Sequence, residues 1–207
     1  NTSSQYLFEW FSSNALSELL TYREIISKNN YKYSDLLKII LSRSARSSRL
    51  VRHFDLEFPK SPQKEPYQCY KHSRECYPVQ EAFKFIKRYS IDTVKRVSEY
   101  SLIQTDAVVD VRHENSISAN FPKIDGLITS PPYVGLIDYH QQHIYAYELF
   151  GLKDKRDEEI GPASSGKSLQ AKNNYKIDLA KVFKNAAKKM RKDGVMIIIA
   201  GDRHNLY

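Results

Sequence analysis

The stretch "IDGLITSPPYVGLIDYH", residues 124–140, decides the reading of this chain. It opens as a short apolar run of the kind that forms a buried strand. It then breaks on Ser130, Pro131, Pro132 and Tyr133. Proline has no N–H and a fixed φ, so two in succession hold a stiff turn that presents carbonyls as acceptors. Serine adds another oxygen, and tyrosine a flat face for stacking. In open parallel sheets ligands sit beyond the C-terminal ends of the strands, where these four residues would lie. Together they suit one substrate group, an exocyclic amino group on an aromatic ring. Acceptors that take hydrogen bonds from both of its N–H groups favour a more tetrahedral nitrogen and free its lone pair to attack an electrophile. A base inside a duplex must first be flipped out, at a cost of a few kcal/mol, and held by stacking. Tyr133 is the platform for that.

The residues around this turn supply the rest of an α/β unit. "YKIDLAKVFKNAAKKMRKDG", residues 175–194, predicts an amphipathic helix with Tyr175, Leu179, Val182, Phe183, Ala186 and Met190 on one stripe and Gly194 at its C-cap. "GVMIIIA", residues 194–200, reads as a buried strand after it, and "DAVVDV", residues 106–111, as an earlier one. Strand, turn, helix and strand is the grammar of a parallel α/β sheet. Residues 1–104 read differently. "SSNALSELLTYREIISKN" predicts a helix with Ser13 or Asn14 as N-cap, and a second helix starts near Ser34 or Asp35. Residues 57–78, rich in Pro, Lys and Tyr, read as loop. Pro78 fits the first turn of a third helix with Val79, Phe83 and Ile86 on one face. The expected organisation is a helical region, 1–104, that contacts DNA or reads the target, and a catalytic α/β region, 105–207.

The totals narrow the function. Thirty-two basic against 24 acidic residues give +8, which suits an anionic partner, nucleic acid being the commonest. No apolar run approaches the roughly 20 residues that span a bilayer. The polar, uncharged opening is no signal peptide, and two cysteines are too few for a disulfide framework. These features read as a reduced, cytoplasmic protein.

"TSPPY" after an apolar strand resembles the catalytic motif of the DNA amino-methyltransferases, which move a methyl group from S-adenosylmethionine to cytosine N4 or adenine N6. "IDYHQQHIYAYELFGL" and "MRKDGVMIIIAGDRHNLY" resemble segments of a prokaryotic subgroup of these enzymes, as do "RSARSSRL" and "EPYQCYKHSRECYPVQEAFKFIKRYS". The resemblance implies a Rossmann-like sheet. Ser130 and the Pro131 carbonyl would hold the amine, Pro132 would stiffen the turn, and Tyr133 would stack on the base. Thr129 and Asn115 would face the cofactor, Asn115 standing in "RHENS" where the family usually carries the acid of a Gly-Asp pair. Asp138 and Tyr139 would lie close by, Tyr139 on the DNA side. The serine form of the motif is associated with cytosine N4. Adenine N6, an RNA or protein amide substrate, and a catalytically silent DNA-binding subunit remain as alternatives.

The resemblance also implies what is missing. The family holds the methionine end of its cofactor with a glycine-rich turn after the first strand, and none of the seven glycines here forms a G-x-G. In that family's sheet the first two strands lie between the third and fourth. With 106–111 as third, 124–129 as fourth and 195–200 as fifth, the sheet is incomplete. A partner chain or further segment carrying the glycine-rich strand unit is expected.

Four other patterns are read more plainly. "GPASSGKS", residues 161–168, matches the spelling of a phosphate-binding loop, but follows the charged "LKDKRDEEI" rather than a strand and reads as a mobile polar loop. Cys69, His72 and Cys76 offer three ligands at a spacing that is not a standard zinc pattern. His53 or His113 would complete them only through the tertiary fold, so no metal is assigned. Asp138, His140 and His143 read as a capped helix start with exposed histidines. Arg43, Arg46, Arg49 and Arg52 recur every three residues, spread over half a helix, and are candidate phosphate contacts alongside the alternative of a solvated basic face.

Overall fold

Helix starts in the N-terminal part are set by polar side chains before apolar stripes. The computed structural model describes residues 2–53, 55 and 59–201. Among them, α1 (Gln5–Trp10) and α2 (Ser13–Lys28) begin behind Ser4 and Ser12, whose hydroxyls accept the N–H groups of Leu7 and Ala15. The N-cap of α2 is therefore Ser12, one residue before the expected pair. Helix α3 (Ser34–Ser48) starts where its sequence predicts. Helix α4 (Phe83–Ser101) starts five residues after Pro78. Its first N–H groups have a distant acceptor, because the Glu18 carboxylate takes those of Ala82 and Phe83 at 2.6 and 2.8 Å. Val79 accordingly lies outside the helix, and Phe83 is exposed while Ile86 is buried.

Cα packing divides the chain into two units, Asn1–Ala107 with His143–Asp154, and Val108–Gln142 with Lys155–Tyr207. The first unit packs Leu7, Phe11, Leu16, Leu19 and Leu41 with Tyr145 and Leu149 into one core. Trp10 stacks on Tyr6 at its margin, ring centroids 5.4 Å apart. Helices α3 and α4 are joined by an Arg43–Asp92 ion pair at 2.7 Å and by Ser47 and Tyr89 hydroxyls 2.7 Å apart. The stretch expected to be loop carries an antiparallel hairpin, β1 (Tyr67–Cys69) and β2 (Arg74–Cys76), with Tyr67 opposite Cys76 and Cys69 opposite Arg74. Its period-2 burial is too short to stand out among prolines. Residues 57 and 58 of that stretch lie outside the described residues, as do the last six of the C-terminal segment, 202–207.

The second unit contains the α/β grammar. Strand β3 (Ile124–Thr129) pairs in parallel with β4 (Met190–Ile198) across α6 (Leu169–Ala187). Gly126, Leu127, Ile128 and Thr129 face Val195 to Ile198 in register. Helix α6 starts before the expected Tyr175 because Ser168 caps it through Ala171 N–H, and it buries Ala171, Tyr175, Leu179 and Ala186. Lys188 is its C-cap, so Gly194 is not. Gly194 lies inside β4, where a Cβ would strike the Met190 side chain and come within 3.0 Å of the Asp125 carbonyl.

The strand expected at 106–111 does not form. A strand is stabilised by the ladder its neighbours offer, and among the described residues this run has none; Val108 is 97% exposed. The chain is thus mixed α/β with a two-stranded parallel ladder in its second unit, and the full Rossmann-like sheet is not among the described residues. No helix of the described residues is long and apolar enough to cross a membrane.

Candidate active site

Strand β3 delivers Ser130 to Tyr133 just beyond its C-terminal end, and β4 ends at the same side. Thr129 accepts the Ile199 N–H through its carbonyl at 2.9 Å, which carries the parallel pairing to the edge of the turn. Ser130 is exposed, Pro131 buried and Pro132 half-buried. The Tyr133 ring is 36% exposed and lies close to the backbone at Gly201, where an added Cβ would come within 3.3 Å of the ring. A partly exposed aromatic ring is available for stacking.

The turn is held from behind. The hydroxyl of Tyr175, on α6, donates to the Pro132 carbonyl at 2.7 Å, and its ring is 2% exposed. Val134, Tyr175 and Leu179 form the small core beneath. The next residue, Gly135, adopts φ 60° and donates its N–H to the Gly161 carbonyl at 3.0 Å. A Cβ there would sit 2.5 Å from the Gly166 carbonyl, so residues 161–166 press flush against the turn. This explains the phosphate-loop spelling in other terms. Gly161 and Gly166 serve left-handed backbone (φ 66° and 71°), and Ser168 caps α6. The segment leads out of a 3₁₀ turn at Arg156–Glu158, not a strand.

Helix α5 (Tyr139–Phe150) begins immediately after the turn. Asp138 caps it by accepting the Gln141 N–H at 2.9 Å, as expected. Glu159 accepts the N–H groups of Tyr139 and His140 at 3.3 and 2.9 Å. Two carboxylates thus occupy the positive end of the helix, which leaves it a poor seat for a phosphate. His143 is exposed as expected, but His140 is buried.

The remaining candidates fall apart by position. Tyr139 is exposed. Asn115 is exposed in an Asx turn, its side-chain oxygen accepting the Ile117 N–H at 3.0 Å. Two of the arginines expected on phosphates have interior work. Arg49 is 1% exposed, with its guanidinium over the Tyr145 ring, 4.7 Å from the centroid. A buried guanidinium cannot reach a phosphate, so Arg49 is removed from the DNA-contact set. Arg43 pairs with Asp92 and lies over Tyr89. Its hydrogen bond, with that of Arg96, holds the Asp92 carboxyl below its ordinary value. Arg46 is half-buried in the last turn of α3, and Arg52 donates to Gln63 at 2.8 Å.

Sequence reasoning missed one feature and left another open. Tyr175 was visible as one member of an apolar stripe, but nothing in the stripe marks its hydroxyl as a brace. In the first unit, His53 joins Cys69, His72 and Cys76, with potential ligand atoms all within 4.8 Å of one another. The fold therefore supplies the fourth member that local spacing lacked.

No family model matches the chain, and no solved structure matches it. The chain is 38% identical over 219 aligned residues to Type II methyltransferase M.MjaII of Methanocaldococcus jannaschii. The match takes in 98% of this chain and 41% of that protein, so the chain spans about two-fifths of its relative's length. The methyltransferase resemblance carried by residues 129–133 thereby extends across nearly every residue present. The chain is thus similar, over nearly all of its own length, to about two-fifths of a Type II methyltransferase.

Proposed function

We propose that this chain carries the amine-binding end of an S-adenosylmethionine-dependent DNA methyltransferase that modifies the exocyclic amino group of a flipped base, cytosine N4 in preference to adenine N6. The observation that carries the reading is the Ser130–Tyr133 turn, placed beyond paired parallel strands and braced through the Pro132 carbonyl by Tyr175. The net charge of +8 supports a DNA partner. The Ser130 hydroxyl and the Pro131 carbonyl accept the two amino N–H groups, and the Tyr133 ring holds the base by stacking. S-adenosylmethionine supplies an electrophilic methyl group. The amine nitrogen held by Ser130 and Pro131 would take that methyl group and give up one proton to solvent. Neither thiol is needed as a nucleophile.

The acceptors and the aromatic face of the turn fit the amine and base that would meet the cofactor's methyl group. Thr129, at the strand end, and Asn115 are the cofactor-side candidates; Tyr139 and Arg46 are the DNA-side candidates. No glycine-rich turn for the methionine end occurs in these 207 residues. We assign that turn to chain outside them, which the 41% coverage of the relative supports.

The test is methyl transfer to duplex DNA by the longer protein, followed by digestion and identification of the methylated nucleoside. Ser130→Ala is expected to lower the rate by about 100-fold, the scale of a lost preorganised polar contact. Tyr133→Ala removes a stacking contact of about 1–3 kcal/mol and is expected to weaken base capture about tenfold or more. Full activity in both variants would sink the site assignment. N6-methyladenine as the product would sink the base assignment. Salt-sensitive DNA binding without any transfer would leave a silent DNA-binding subunit.

A further inference from the structure

The hairpin β1–β2 buries little of its own. Tyr67, Cys69 and Cys76 make up its small cluster, and its strands are three residues each. An isolated two-stranded hairpin is marginal in water, and small elements of this kind are held by staples. The inward face of the hairpin presents two sulfurs and, beside them, two imidazoles. The register puts Cys69 and Cys76 diagonally across the ladder on one face. His72, in the connecting turn, places Nδ1 3.8 Å from Cys69 Sγ and 3.4 Å from Cys76 Sγ. His53, after α3, places Nδ1 3.8 Å from Cys69 Sγ. The two imidazole rings stand edge to face with centroids 4.6 Å apart.

We propose that His53, Cys69, His72 and Cys76 form a structural zinc site that ties the end of α3 to the β1–β2 hairpin. Bonds of about 2.3 Å to sulfur and about 2.0–2.1 Å to nitrogen in a tetrahedron put neighbouring ligand atoms roughly 3.3–3.8 Å apart. The three sulfur–nitrogen separations above fall in or just outside that range, so small side-chain rotations complete the site. Two thiolates and two imidazoles select zinc over magnesium or calcium, which prefer oxygen. With four protein ligands the coordination shell is closed, which marks a structural rather than a catalytic ion. Two thiolates also cancel the charge of the ion. The loaded site is therefore neutral beneath a surface that carries Lys71, Arg74 and Lys84, which all bear on His53 electrostatically. The Tyr67 hydroxyl accepts the backbone N–H of His53 at 3.0 Å and lies 3.0 Å from His53 Nδ1, a contact that an ion bound at that nitrogen would replace. His72 is exposed and His53 half-buried, which gives the ion a way in.

The alternative occupant of this space is a packed thiol pair or a Cys69–Cys76 disulfide. The deciding experiment is elemental analysis of the 207-residue chain, purified in reductant without chelator, with cobalt exchange alongside it. About one zinc per chain is expected. In the cobalt form we expect intense visible bands of a tetrahedral ion with thiolate-to-metal charge transfer. Cys76→Ser and His53→Gln are expected to lower bound zinc at least about tenfold. Because a variant can fail by misfolding, the cobalt spectrum of the unsubstituted chain decides independently. Less than about a tenth of a zinc per chain together with no charge-transfer band on adding cobalt overturns the proposal. So does zinc that stays bound in a Cys69→Ser, Cys76→Ser double variant, or a Cys69–Cys76 disulfide in chain isolated with its metal content intact.

Discussion

The two adjacent prolines in the turn after β3 offer carbonyls and no N–H groups, so the hydrogen bonds that hold those carbonyls have to be donated from elsewhere. Tyr175 is such a donor. Tyr175→Phe keeps the ring in its buried place and deletes only the hydroxyl, leaving the Pro132 carbonyl without that partner. The expected loss is about 1 kcal/mol of stability, with the methylation rate of the longer protein falling about tenfold while the affinity for DNA holds. Thermal melting and steady-state kinetics read the two effects. An unchanged rate would show that the prolines alone hold the turn. The chemical type of this residue was legible in the sequence, since a tyrosine on an apolar stripe belongs in a core. Its role was not, because a hydroxyl bond to a carbonyl 43 residues away leaves no local trace. Arg49 is the same lesson reversed. A basic residue every three positions reads as surface, yet the chain leaves α3 at Arg49, and the guanidinium turns inward onto Tyr145.

At the scale of elements, long-range polar contacts decided what local pattern could not. Strand β3, helix α6 and strand β4 were legible because apolar runs and a helical stripe are written in consecutive residues. The start of α4 was not, because its cap is Glu18 on α2. The 106–111 run had the composition of a strand and lacked only a neighbour. The α3–α4 pair makes a prediction about pH. Arg43 and Arg96 hold the Asp92 carboxyl below the ordinary value of 3.8. A depressed carboxylate stabilises the folded state fully above its ordinary value, and that contribution fades as pH falls through the lower folded one. The helical unit should therefore lose melting temperature more steeply below about pH 4 than an Asp92→Asn variant does. The variant should be the less stable of the two at neutral pH. Parallel pH profiles for both chains would remove Asp92 from the account.

Over the whole molecule, the conspicuous feature is a parallel ladder with apolar surface left in water. Ile128 is 74% exposed and Val195 63%. Parallel sheets are normally covered on both faces, and two strands are too few for independent stability. In the 207-residue chain, amides of β3 and β4 should exchange with solvent faster than those of α2 and α3. In the longer protein they should slow by about tenfold or more as further strands pair with them. Equal protection in both would mean the ladder needs no addition. The sequence expectation of a sheet lacking strands came from the missing glycine-rich turn, and the match to two-fifths of a longer relative agrees with it. Cys69, His72 and Cys76 were legible as a trio, but the choice of His53 over His113 was not, since His53 joins them through the tertiary fold from sixteen residues upstream of Cys69. The stack of Trp10 on Tyr6 has a practical consequence here. It is the chain's one tryptophan, and it belongs to the helical unit. Indole fluorescence is then a private channel to that unit, while circular dichroism sums over both. A melt in which the two signals part company reports that the units unfold separately, with no label attached.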